Sequence, residues 1–219
     1  MYPFDFFKEL SKNNNREWFA DHKPQYEEIR RWWLAGIEQV HAMVIEAWPE
    51  VKHSNFHTFR IYRDTRFSLD KTPFKTHIGS TLAPPTARDV HSAGVYLEAG
   101  MPTSDTGVFV GIWAPESNVL KKLRRAIVDN IEEWEEIVKH PDLLKYYPDW
   151  FGERLKTAPK GWPKDHPQIE YLRLKHLGRF SLMSPEMFAS EQWMEEMAKR
   201  IIAAVPLLRF LDYSVNEDI

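Results

Sequence analysis

The residues best suited to chemistry lie between Phe59 and His77, in the run FRIYRDTRFSLDKTPFKTH. Arg60, Arg63, Arg66, Lys71 and Lys75 are set there against only Asp64 and Asp70, so the segment carries +3 in a chain of formal charge -3, and the remainder carries -6. Guanidinium groups offer rigid paired donors that match phosphate or carboxylate oxygens. With Tyr62, the two lysines and the Ser68 and Thr72 hydroxyls, they can build a pocket for a small anionic ligand. Asp64 and His77 are the candidate catalytic groups, His77 because an imidazole beside an anion can act as acid or base near neutral pH. The competing reading is structural: Asp64 and Asp70 neutralise two arginines, and the other cations sit in solvent at a sheet edge, where lysine discourages edge-to-edge pairing. The protein is then a non-enzymatic interaction or scaffold module.

A second cluster follows at Lys160-Gly161-Trp162, Asp165-His166-Pro167, Arg173 and Lys175. Gly161 permits positive φ or a close backbone approach, and Asp165 can orient His166 or simply cap a turn before Pro167. The expected ligand-binding set is Arg60, Tyr62, Arg63, Arg66, Lys71, Lys75, Lys160, His166 and Arg173. His53 and His57 have zinc spacing only if helical, and they follow an expected helix end, so no metal site is expected. The chain has no phosphate loop, dinucleotide fingerprint, zinc helix or nucleophile elbow, and it names no cofactor. Its acidic balance disfavours duplex DNA; single-stranded nucleic acid is a variant of the anion reading, recognisable by steep salt dependence.

Pro3 to Leu10 reads as a short helix, closed by Ser11 to Asn15, whose asparagines can cap a second helix starting at Arg16. From Pro24, read as a first-turn proline, Tyr26, Ile29, Trp33, Ile37, Val40, Val44 and Ala47 recur every three or four residues and predict a long amphipathic helix ending near Trp48-Pro49. At Thr58 the period becomes two, with Phe59 and Ile61 on one face and Arg60, Tyr62 and Asp64 on the other, a half-buried strand. Thr76 to Leu82, Ala93 to Ala99 and Gly107 to Trp113 are further strands. Short connections such as Ala83 to Pro85 and Met101 to Asp105 favour an antiparallel meander. Pro115 to Asn118 opens a second long helix through Leu120, Leu123, Ile127, Ile131, Trp134 and Ile137. Residues 141–167, with five prolines, form an ordered irregular wrap. Leu172 to Met183 is a fifth strand, because Gly178 breaks helical continuity, and Ser184-Pro185 starts the last helical region.

The class is therefore α+β: an antiparallel sheet of about five strands packed with long amphipathic N-terminal, central and C-terminal helices. A length of 219 residues suits one domain spanning 1–219. The absence of cysteine fits a reducing compartment, with cytoplasm the default. Residues 1–5 show no leader pattern and no stretch has the length of a membrane span, so no membrane partner is expected.

The chain resembles the uncharacterised bacterial and fungal family called domain of unknown function 2461. The resemblance rests on Asn15-Arg16-Glu17-Trp18-Phe19, on Phe59 to Asp64 with Arg66-Phe67-Ser68 and Asp70 to His77, on Gly111-Ile112-Trp113-Ala114-Pro115, and on Pro159-Lys160-Gly161, Asp165-His166-Pro167 and Leu172-Arg173. The resemblance implies that both cationic clusters belong to the family pattern. The family has no established activity, substrate or cofactor, so it transfers no catalytic role.

Overall fold

The structure, a computed structural model, describes residues 3–85, 92–101 and 106–216. Met1, Tyr2 and, apart from Met101, the Met101 to Asp105 connection lie outside these residues. Helix α1 is Pro3–Lys12 and α2 is Arg16–Val44. The Asn15 side chain accepts the Trp18 N–H at 2.9 Å and so satisfies one orphan donor at the start of α2. Pro24 does not begin a helix, as the sequence had suggested, but lies inside α2. An interior proline costs about 3 kcal/mol. Phe19, Tyr26, Ile29, Trp33, Ile37, Val40 and Val44 are buried along the same helix, at roughly 1.5–3 kcal/mol each, and outweigh it.

The strands are β1 His57–Thr58, β2 His77–Leu82, β3 Gly94–Gly100, β4 Gly107–Ile112 and β5 Leu177–Leu182. They form one antiparallel sheet in the order β1-β2-β3-β4-β5, the α+β meander expected from the sequence. Two strand bounds need correction. The strand expected from Thr58 to Asp64 stops at Thr58. Beyond it the chain keeps only scattered pairing: Phe59 N–H to Gly79 O at 2.9 Å, Lys75 N–H to Ile61 O at 2.8 Å, Arg63 N–H to Pro73 O at 2.9 Å, and a lone Tyr62–Phe74 bridge. Pro73 has no N–H to continue the ladder, and residues 64–72 leave it as a loop. The fifth strand begins at Leu177, because Leu172 ends the short helix α6, Ile169–Leu172.

The expected central helix is two, α3 Ser117–Asp129 and α4 Ile131–Val138. Asn130 separates them, its side chain donating to the Ala126 carbonyl at 3.0 Å in competition with the helical backbone. Residues 141–167 contain α5, Pro141–Tyr146, and are otherwise irregular. Ser184 caps α7, Pro185–Ala189, and α8 runs from Trp193 to Asn216. Among the described residues no helix is long and apolar enough to cross a membrane.

The chain divides into two compact units interleaved in sequence: Met1–Leu82, Tyr96–Val108 and Leu182–Lys199 in the first, and Ala83–Val95, Phe109–Ser181 and Arg200–Ile219 in the second. In the first, the Trp33 and Trp193 rings stack 5.8 Å apart at 3°. Gly36, one turn along α2 from Trp33, makes room for this, since a Cβ there would overlap the Trp193 indole. In the second, Trp134 packs against Trp150 at 5.5 Å and Phe210 at 5.1 Å. Replacing Gly36 with alanine raises helix propensity but overpacks the Trp193 ring, so Gly36→Ala should lower stability by about 1–3 kcal/mol. A urea midpoint equal to or above that of the parent would contradict the packing described for this site.

Candidate functional site

Glu98, in the middle of β3, is only 6% exposed. A buried carboxylate is costly unless it is hydrogen-bonded, and here the Tyr96 hydroxyl donates to Oε2 at 2.6 Å from two residues away on the same face. The other oxygen, Oε1, lies 3.6 Å from His77 Nδ1 at the start of β2. Two glycines clear space for this group. A Cβ on Gly79 would stand 2.6 Å from the Tyr96 hydroxyl, and one on Gly100 would overlap the His77 Cβ. Burial, helped by the nearby Lys75 ammonium, pushes the His77 imidazole down to about 4. The Glu98 carboxylate, at 3.6 Å, is too far for a hydrogen bond that would hold a proton on the ring, so the ring is neutral near pH 7.

Lys75 is half-buried, with Nζ 5.1 Å from the centre of the Phe59 ring. Burial and the Arg60 charge lower its pKa, while Glu98 opposes them. Arg60 is exposed. Among the described residues neither cation has an ion-paired carboxylate. The segment is anchored at Phe74, whose N–H donates to Asn14 Oδ1 at 3.1 Å and whose carbonyl accepts from Asn14 Nδ2 at 2.9 Å.

The other cations of the segment are engaged within the loop. The Arg63 guanidinium binds the Asp70 carboxylate and the Thr72 hydroxyl, and reaches the Thr72 carbonyl at 3.2 Å. Asp70 is held down to about 2, first by the Thr72 N–H and then by Arg63. Arg66 pairs with Asp64 through Nη2 at 2.7 Å and Nε at 3.0 Å, which keeps the Asp64 carboxyl below its ordinary range. Lys71 Nζ donates to the Thr65 carbonyl at 2.9 Å. These exposed contacts fix the loop's shape more than its stability, because such pairs contribute about 0–1 kcal/mol. Tyr62 packs on Phe74 at 5.3 Å while remaining 53% exposed.

The second cluster lies in the second unit. Gly161 adopts φ +91°, with open space where a Cβ would stand. His166 Nδ1 accepts the Gln168 N–H at 3.1 Å, and its ring meets Trp162 edge-on at 5.0 Å. Arg173 donates to the Leu155 carbonyl at 2.6 Å and to Glu170 at 3.4 Å, and Lys175 pairs with Glu153 at 2.9 Å. Lys160 and Asp165 are exposed. Among the described residues no group of three or more His, Asp or Glu side chains is placed to hold a metal ion.

Sequence reasoning missed Tyr96, Glu98 and Asn14. A lone acid amid the apolar positions of β3 was the available signal for Glu98; Asn14 reads as a turn residue, and its partner lies 60 positions away. These features describe an α+β protein whose sheet carries a buried carboxylate beside a neutral histidine, with Lys75, which has no ion-paired carboxylate among the described residues, just before β2. The chain matches the family described as conserved hypothetical protein (DUF2461) over residues 3–210 and belongs to it. No curated protein and no solved structure matches it.

His77 gives a pH signature. Its folded pKa, about 4, lies below the value of 6.5 for a free imidazole, so the unfolded chain binds the extra proton between those values. The stabilisation is present above pH 6.5 and is lost as pH falls toward 4, by an amount on the order of 2 kcal/mol. Denaturant midpoints measured from pH 7.5 to 4.5 should fall in the wild type and flatten in His77→Gln. Equal slopes in the two proteins would show that His77 is not buried neutral.

Proposed function

We propose that the first unit binds a small phosphate- or carboxylate-bearing ligand at Arg60 and Lys75, with His77 as the proton-transfer group if the ligand is turned over. The observation that carries this reading is the half-buried Lys75 amine, without an ion-paired carboxylate among the described residues and beside a second cation. Burying an unneutralised charge opposes folding, and a bound anion would remove that cost. With Nδ1 directed toward Glu98, His77 Nε2 is the nitrogen left to exchange a proton with the ligand. Arg63, Arg66, Lys71 and Tyr62 then shape the rim, and Lys160 is a separate candidate anion contact. We further propose that the two units act as one cytoplasmic domain, supported by their interleaving in sequence, by the family match across 3–210 and by the lack of cysteine.

The alternative, a non-enzymatic module with structural ion pairs, draws on the Arg63–Asp70 and Arg66–Asp64 pairs. Thermal unfolding with inorganic phosphate, sugar phosphates, nucleotides and dicarboxylates separates the two. A ligand at one hundred times its Kd stabilises by about 2.7 kcal/mol, roughly 5–10 °C for a chain of this size. The shift should vanish in Lys75→Ala and persist in Arg66→Ala. If no compound shifts the midpoint, or if the shift survives Lys75→Ala, the ligand reading fails. A lower midpoint for Arg63→Ala in buffer alone, with no ligand response in any variant, supports the module.

A further inference from the structure

The side chains around Glu98 are joined by a continuous run of contacts on one face of the sheet. Lys75 Nζ lies 5.1 Å from the centre of the Phe59 ring, Phe59 packs on Tyr96 at 6.1 Å, and the Tyr96 hydroxyl donates to Glu98 Oε2 at 2.6 Å. Glu98 Oε1 then faces His77 Nδ1 at 3.6 Å, and the Lys75 charge is close enough to act on the His77 ring. Arg60 is in turn close enough to act on Lys75. An anion held by these two cations has the His77 imidazole beside it.

The state of that imidazole sets what else the ligand must carry. The ring is neutral near pH 7, so it holds one proton on one of its two nitrogens. A lone pair on Nδ1 turned toward the Glu98 carboxylate would be repelled, whereas an N–H dipole there is attracted even beyond hydrogen-bond distance. Glu98 therefore acts as a positioning residue that keeps the proton on Nδ1. Nε2 is then bare and can only accept. Among the described residues it makes no hydrogen bond, and the side chain stays 27% exposed. Phosphate or carboxylate oxygens bring only lone pairs to such an atom. An ammonium donor would be repelled by Lys75 and Arg60. A neutral hydroxyl meets both conditions. We propose that the ligand carries a hydroxyl next to its anionic group, as sugar phosphates and hydroxy acids do, and that this hydroxyl donates to His77 Nε2 while Lys75 and Arg60 hold the anion. The inference rests on the anion-site reading and deepens it by separating hydroxylated anions from plain ones.

Isothermal titration calorimetry near neutral pH with two matched pairs tests the proposal: hydroxypropyl phosphate against propyl phosphate, and malate against succinate. Within a pair that binds, the hydroxylated member should bind about tenfold tighter, the effect of one added hydrogen bond. In His77→Leu the two members should bind alike. Nitrogen NMR of the wild type, with the His77 ring assigned through its own side chain, should show Nδ1 protonated and Nε2 bare; a proton on Nε2 overturns the inference without recourse to any variant. Equal affinities within the pairs overturn it and leave the anion site standing, as does failure of all four compounds to bind in a protein that inorganic phosphate stabilises. A hydroxyl preference that persists in His77→Leu puts the acceptor elsewhere and also overturns it. No response to any anion, inorganic phosphate included, overturns both this inference and the anion site.

Discussion

In the first unit, the placement of the site depends on one buried hydrogen bond: the Trp33 indole N–H donates to Ser80 Oγ at 2.7 Å, with both residues wholly buried. Leaving that donor unpaired inside the core would cost about 1–3 kcal/mol, so β2 is held to the register that brings Ser80 to α2. The same hydroxyl lies 2.7 Å from Thr58 Oγ1, which ties β1 into the arrangement. In a strand, side chains alternate between faces, and a slip of one residue exchanges them all. With Ile78, Ser80 and Leu82 committed to the buried face, His77 and Gly79 take the other, where Tyr96 and Glu98 meet them. A helix-to-strand contact far from the charged segment thus decides which imidazole faces the carboxylate.

The second unit is held by a different chemistry. Arg179 is 3% exposed and donates to the carbonyls of Tyr147 at 2.6 Å and Val138 at 2.9 Å, with its guanidinium carbon 4.4 Å from the centre of the Trp150 ring. Arg124, also buried, donates to the Leu172 carbonyl at 2.7 Å and to Leu174 at 3.3 Å. Burial lowers the Arg179 pKa only to about 10, so it stays charged near neutrality. Several donors in one rigid plane let a single side chain satisfy carbonyls from separate turns, which suits the irregular stretch after Val138. Arginine here acts as internal scaffolding and, among the described residues, does so without an ion-paired carboxylate.

That contrast explains what the sequence disclosed. Periodicity located α2 and the meander, because apolar spacing is a local property that survives into the fold. It misplaced Pro24, since a penalty confined to one residue is outweighed by the burial of many others along α2. It extended the strand through Asp64, because alternation at Arg60, Ile61 and Tyr62 is real in burial even where Pro73 interrupts the ladder. The cationic segment was visible as composition, but which charges were free was not. Arg63 meets Asp70 across seven positions and His77 approaches Glu98 across 21, and pairings at such separations are set by the sheet and loop. Arg179 alternates like an outward-facing strand residue, and only the fold turns it inward.

The charges between Arg60 and His77 divide by energetic consequence. The Arg66–Asp64 pair is exposed, and pairs of that kind contribute about 0–1 kcal/mol, which is too little to account for the segment on grounds of stability. Lys75 works against stability, because it is half-buried next to another cation. His77 is held neutral by surroundings that a nonpolar residue would tolerate better, and two glycines in the strands serve mainly to admit it and Tyr96. Exposed Phe67 contributes no core burial. Local departures from stability such as the half-buried Lys75 beside Arg60 are where binding sites concentrate. The structural pairs and the ligand reading are then compatible: the pairs fix the shape of the loop, while Lys75 has no ion-paired carboxylate among the described residues.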